Sequence, residues 1–198
     1  MMKLRHSTTS PFVRKVVVTA IETGQDAEIE RVKTVTTDAS LASDNPLQKI
    51  PALTTEDGTT LIDSAVICEY LDHRKGGKLI PAPGPARWAV LTRQALCDGI
   101  LDAAILRRYE AQRPEALRSI EWDARQTLKM DQGLAALERE APGFGNAVDL
   151  GTLACAILLD YLDFRFASEA WRDRHPNLAK WHKVFAQRPS LPSTMPHD

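Results

Sequence analysis

The hydrophobic rhythm of the chain changes once, near residue 86. Before that point short apolar runs alternate with helical ones; beyond it every apolar pattern has the helical period. Lys3-Leu4-Arg5 is short and reads as a strand. Ser10 and Pro11 supply an N-cap and a first helical residue, ahead of Phe12, Val16 and Ala20 as a buried stripe, and Gly24 ends that helix. The β-branched run Val16-Val17-Val18 also suits a strand, but the length and the Ser-Pro start favour helix. Ala27 to Thr34 alternates as a second strand, and the polar stretch Thr36 to Ser43 predicts a loop with a short helical turn. Ala52 to Thr54, the turn signal Asp57-Gly58 and Thr59 to Ile62 predict a hairpin, with Pro51 tolerated at the strand start. Ser64 then stands where an N-cap is expected, before Val66, Ile67, Tyr70 and Leu71 at helical spacing.

Residues 76–86 carry Gly76, Gly77, Pro81, Pro83, Gly84 and Pro85, the punctuation of a linker. The pattern past it predicts a long helix from Trp88 to about Gln112 and another from Glu115 to about Glu140. A third, Leu150 to Arg165, is apolar enough to be central. Asn146 with Asp149 three residues on has the form of a capping box for it. All four tryptophans fall in this half, which therefore has its own core. The expected organisation is an α/β domain over residues 1–75, a linker over 76–86 and an all-helical domain over 87–198.

Composition excludes more than it selects. The chain of 198 residues is 43% hydrophobic and 26% charged, as in ordinary globular proteins. A formal net charge of −1 argues against a general nucleic-acid or acidic-membrane binder. No apolar run approaches the ~20 residues of a spanning helix, and Met1 to Ser10 lacks the apolar core of a secretory signal. A cytosolic location is the expectation. Cys68, Cys97 and Cys155 are widely spaced in apolar helical patterns and read as buried thiols; no Cys-x-x-Cys exists. The five histidines have neither metal-ligand nor triad spacing, so no metal is expected.

Several motifs occur in order: Ser10-Pro11-Phe12 with Arg14-Lys15, Asn45-Pro46, Lys49-Ile50-Pro51, Asp63-Ser64, and Ile67-x-x-Tyr70-Leu71. His175-Pro176-Asn177-Leu178 and Arg188-Pro189-Ser190 follow near the end. Over nearly the whole chain the set resembles the cytosolic glutathione transferase superfamily, with a serine-type active site. The resemblance implies a thioredoxin-like domain that binds glutathione, an all-helical domain that holds a small electrophile, and a homodimer. It also implies that Pro51 is cis and that the backbone of Ile50 takes glutathione as an added strand. Lys49 would pair with a glutathione carboxylate, and the helix start at Asp63-Ser64 would bind the γ-glutamyl carboxylate while the Asp63 side chain answers the ammonium.

Ser10 stands at the catalytic place, with Thr9 as the nearest rival. A free thiol titrates near ~8.5 and only its thiolate is nucleophilic. A hydroxyl donating to that thiolate contributes ~1.5–3 kcal/mol, or roughly one to two pKa units. Phe12, Asp98, Asp102, Arg108 and Tyr109 are the expected residues of the second-substrate cleft; Asp98 and Asp102, four apart on one helix, share a face. The function implied is activation of the glutathione thiol for attack on an electrophile. Two rivals are a glutathione-dependent thiol reductase or peroxidase, which usually wants cysteine at residue 10, and a non-catalytic binding protein of the same fold.

Overall fold

The chain opens with a parallel strand–helix–strand unit. β1 (Met2–His6) and β2 (Ile29–Lys33) pair from Met2 opposite Ile29 to His6 opposite Lys33, with α1 (Pro11–Glu22) as the crossover that a parallel pair needs. In the computed structural model, which describes residues 1–198, Ser10 Oγ accepts from the Val13 amide at 3.3 Å, so the cap and the Pro11 start are as expected. The expected stripe on α1 needs correction. Phe12 is only half-buried, whereas Val13, Val16, Val17, Val18 and Ala20 are all buried. The β-branched run makes more than one face of the helix apolar, and that surface is covered on several sides.

A short helix, α2 (Leu41–Asp44), leads to the hairpin of β3 (Leu53–Thr54) and β4 (Thr60–Leu61). Gly58 in its turn has φ 87°, the left-handed region where glycine carries no steric penalty. The sheet order is β2-β1-β3-β4, and β3 runs antiparallel to both its neighbours. α3 (Ser64–Arg74) packs on α1, and the Thr19 hydroxyl there donates to Cys68 Sγ at 3.3 Å. The buried Asp72 near the end of α3 accepts from the amides of Lys78, Leu79 and Ile80 at 2.8, 2.8 and 2.9 Å, which ties down the segment that follows.

The structure divides into two units, Met1–Arg87 with Arg188–Asp198 and Trp88–Gln187. The last eleven or so residues, expected in the helical domain, thus belong with the first unit. The cause is a set of polar ties to α1. Arg188 and Ser190 both donate to the Glu22 carboxylate, Arg14 donates to the Leu191 carbonyl at 3.0 Å, and Leu191 is fully buried.

The second unit is helical: α4 (Pro85–Gln112), α5 (Ile120–Glu140), α6 (Leu150–Arg165), α7 (Trp171–Arg174) and α8 (Pro176–Phe185). Helix α5 starts later than the expected Glu115. Glu115–Leu117 makes a separate 3-10 turn, and Ser119 caps α5 by accepting from the Trp122 amide at 3.2 Å. The cap of α6 is Asp149 and not Asn146. Asp149 Oδ1 accepts from the Thr152 amide at 2.8 Å, and the Thr152 hydroxyl accepts from the Asp149 amide at 3.0 Å, a reciprocal box. Every residue of α6 from Leu150 to Leu162 is buried, so this helix is the core of its unit. α4 and α5 meet at Gly133, where a β-carbon would lie 2.5 Å from Ile100 Cγ1. Trp181 stacks on Phe185 at 4.6 Å between ring centroids and meets Phe144 edge-on at 5.1 Å. Cys68, Cys97 and Cys155 are buried thiols outside any disulfide, as their apolar surroundings in the sequence predict. No helix is long and apolar enough to cross a membrane.

Candidate functional site

Strand direction decides which residues can meet in the first unit. β1 runs toward its end at His6; β3 is antiparallel to it and begins at that end, with the Arg5 amide donating to the Ala52 carbonyl at 2.9 Å. β4 reverses again and finishes there. Residues 7–10, 50–52 and 62–64 therefore gather at one end of the sheet, and the N-termini of α1 and α3 open onto it. An N-terminus presents unpaired amides and the positive end of the helix dipole.

Within this group Ser10 is half-buried, and its oxygen accepts one amide while its own proton remains to be donated. The Thr9 hydroxyl lies 3.1 Å from that of Ser7 and shares a hydrogen bond with it. Ile50-Pro51 is cis, as implied, and the Ile62-Asp63 peptide is cis as well. Ile50 takes no part in any backbone–backbone hydrogen bond, so its amide and carbonyl remain open to an added strand. Lys49 is exposed. Sequence reading missed what shapes this loop. Asn45 is buried; its Nδ2 donates to the Lys49 carbonyl at 2.7 Å and its Oδ1 accepts from the Leu47 amide at 3.0 Å.

The cap of α3 is Asp63, one residue before the expected Ser64. Asp63 has the extended backbone of an N-cap (φ −94°, ψ −160°), and its Oδ1 accepts from the Ala65 amide at 2.9 Å. Ser64 is the first helical residue and is buried. One carboxylate oxygen of Asp63 is thus committed to the helix, and the exposed side chain keeps its charge toward solvent.

Of the residues expected at the second-substrate cleft, one lies in the first unit and four in the second. Phe12 belongs to the first unit, with the Lys15 ammonium 5.8 Å from its ring centroid. The other four lie on α4 in the second unit. Asp98 is half-buried beside Gln94, while Asp102 and Tyr109 are exposed. Arg108 is half-buried against Tyr161; burial pushes the Tyr161 phenol up, and Arg108 pulls it partly back. Of the four, Arg108 alone lines a cavity of about 490 Å³ at one end of the helical unit.

One cluster in the second unit offers the donor types of a metal site. Asp160, Asp163 and His182 lie together, with His182 Nε2 2.8 Å from the buried Asp160. A guanidinium already occupies it, however. Arg172 pairs with Asp163 and lies 3.3 Å from His182 Nδ1, and Trp171 Nε1 donates to Asp163 at 2.9 Å. The donor set is that of a partly exposed ion pair set against the buried Asp160 and His182, and a cation placed there would have to displace Arg172.

The comparisons with known proteins agree in direction. Residues 4–79 match the family model of the glutathione S-transferase N-terminal domain, and residues 107–183 match that of the C-terminal domain. The uncharacterized GST-like protein YibF of Escherichia coli (strain K12) is 34% identical over 199 residues, covering 98% of each chain. A glutathione transferase family member from Pseudomonas fluorescens Pf-5, solved with bound glutathione, is 42% identical over the full length of both chains, with a TM-score of 0.96. A glutathione S-transferase from Methylobacillus flagellatus, solved with glutathione bound, is 36% identical over the full length of both, with a TM-score of 0.93. The chain belongs to the glutathione S-transferase family.

Proposed function

We propose that this protein binds glutathione at the end of its sheet and activates the thiol for attack on a small electrophile. The observation that carries this reading is the convergence there of a donor hydroxyl, an open strand position and a capped helix start, at Ser10, Ile50-Pro51 and Asp63-Ser64. Glutathione is an extended tripeptide with a charged group at each end. Its backbone adds a strand at Ile50, Lys49 meets a terminal carboxylate, the free amides opening α3 meet the γ-glutamyl carboxylate, and Asp63 meets the ammonium. Ser10 donates to the thiolate. Ser10 is preferred to Thr9 because its oxygen caps α1 and its proton is left for the thiolate, while the Thr9 hydroxyl shares one hydrogen bond with Ser7 in which either group can donate.

The reading extends to assembly. The exposed face of α4 carries Trp88, Leu106 and Tyr109, which are 64%, 40% and 55% exposed, along one side with Ala95 and Asp102. A second copy of the chain covering this face makes a homodimer that works in the cytosol. Calorimetric titration with glutathione, followed by turnover with aryl halides, epoxides, isothiocyanates and peroxides, tests the proposal. Saturable binding with turnover of at least one electrophile supports it. Binding without turnover points to a binding protein of this fold, and no binding at millimolar glutathione refutes it.

A further inference from the structure

The loop between α2 and β3 has no side chain packed beneath it. Pro46, Leu47, Gln48 and Lys49 are all exposed, and Gln48 has φ 51°, uncommon for a residue with a β-carbon. Each hydrogen bond that the backbone of residues 46–49 makes goes instead to Asn45. The Asn45 carbonyl accepts from the Gln48 amide at 2.8 Å, its Oδ1 accepts from the Leu47 amide at 3.0 Å, and its Nδ2 donates to the Lys49 carbonyl at 2.7 Å. One side-chain partner is a donor and the other an acceptor, so the carboxamide fits only one way round. Asn45 is itself held from behind. It is 2% exposed, its amide donates to the Leu41 carbonyl at 2.8 Å, and the adjoining Asp44 pairs with Arg5 of β1 at 2.6 Å.

The bond to the Lys49 carbonyl acts on Ile50. The Lys49–Ile50 peptide is trans, so its C=O and N–H point in opposite directions within one plane. Holding that carbonyl toward Asn45 turns the Ile50 N–H the other way, and this N–H has no backbone partner. The Ile50 carbonyl belongs to the next peptide and is not aimed by Asn45. We propose that Asn45 is a positioning residue of the glutathione site, which through the Lys49 carbonyl aims the Ile50 amide at the cysteinyl carbonyl of bound glutathione. Facing residues of an antiparallel pair exchange both of their backbone bonds, and of the two at Ile50 only the one from the amide depends on Asn45. The inference rests on the glutathione reading and adds to it a buried residue that does not touch the ligand.

Asn45→Asp keeps the shape of the side chain and the acceptor for Leu47, but sets a carboxylate oxygen against the Lys49 carbonyl. Protonation restores a donor there, and burial favours the protonated form. The test is calorimetric titration at pH 8 and pH 5 with glutathione and with γ-glutamylcysteamine, which lacks the cysteinyl carbonyl and the glycine. At pH 8 the glutathione Kd of Asn45→Asp is expected about 3- to 10-fold above wild type, the worth of one hydrogen bond. At pH 5 the ratio to wild type is expected to fall toward one. Asn45→Ala has no group to titrate and is expected to bind glutathione weakly at both pH values. γ-Glutamylcysteamine has nothing for the Ile50 amide to meet and is expected to bind all three proteins alike. A wild-type glutathione Kd in either variant at pH 8, a ratio for Asn45→Asp that does not fall in acid, or an equal loss for the two ligands overturns the role of Asn45 and leaves the glutathione reading standing. A wild type that binds neither ligand at millimolar concentration overturns both.

Discussion

In the proposed reading Asp63 has two jobs that substitution can separate. Its Oδ1 caps α3 at 2.9 Å from the Ala65 amide, and its charge answers the glutathione ammonium. Asparagine caps a helix about as well as aspartate, whereas alanine in place of either costs typically ~1 kcal/mol. An exposed ion pair is worth ~0.2–1 kcal/mol, and partial burial under the bound peptide moves it toward the upper end. Asp63→Asn should therefore unfold in urea like the wild type while its glutathione Kd rises about 2- to 5-fold. Asp63→Ala should show the same loss of affinity together with about 1 kcal/mol less stability. Urea unfolding and calorimetric titration on the same samples read the two effects apart. If Asp63→Asn binds glutathione like the wild type, the carboxylate does not meet the ammonium. If it is as unstable as Asp63→Ala, the cap does not hold α3.

The remaining predictions concern the frame around the site. Asp149→Ala should lower stability by about 1 kcal/mol in urea unfolding, since it removes the side-chain acceptor of the Thr152 amide at the start of a helix buried from Leu150 to Leu162, while Asn146→Ala should stay within about 0.5. Burial pushes the Glu22 carboxyl up, but hydrogen bonds from Arg188 and Ser190 outweigh it and hold the group below the usual carboxylate range. A depressed carboxylate contributes stability that is present at neutral pH and is lost as pH falls through its folded pKa. Proteolytic trimming of the Arg188–Asp198 tail should accordingly be slow at neutral pH and faster in acid, and Glu22→Gln should make it fast at both. Trp88→Glu combined with Leu106→Glu should turn a sedimenting dimer into a monomer; a surviving dimer would move the interface off this face of α4.

Much of the frame was legible because its signals are local. Ser10-Pro11 marks a helix start by two independent devices, and the structure uses both. Asp57-Gly58 fixes a hairpin because few other residues accept its backbone. The errors at helix starts have one origin, that several residues near a boundary could cap it and spacing does not rank them. Asp63 and Ser64 are both good caps, as are Asn146 and Asp149, and backbone geometry chooses Asp63 and Asp149. The helix expected from Glu115 begins at Ile120 for the same reason, Ser119 being the cap. Contacts between distant residues left no local trace. Glu22 holding Arg188 and Ser190, and Arg14 holding the Leu191 carbonyl, depend on chain segments that meet only in the fold.

The central claim is that the Ser10 hydroxyl stabilises the glutathione thiolate, and the ultraviolet thiolate absorbance of bound glutathione against pH tests it most directly. In the wild type the bound thiol should titrate well below the ~8.5 of a free thiol. In Ser10→Ala the midpoint should rise by roughly one to two units, with glutathione affinity little changed because Lys49, Ile50 and Asp63-Ser64 are untouched. Thr9→Ala should titrate like the wild type. The same midpoint in wild type and Ser10→Ala, or a shift seen only in Thr9→Ala, would contradict the account.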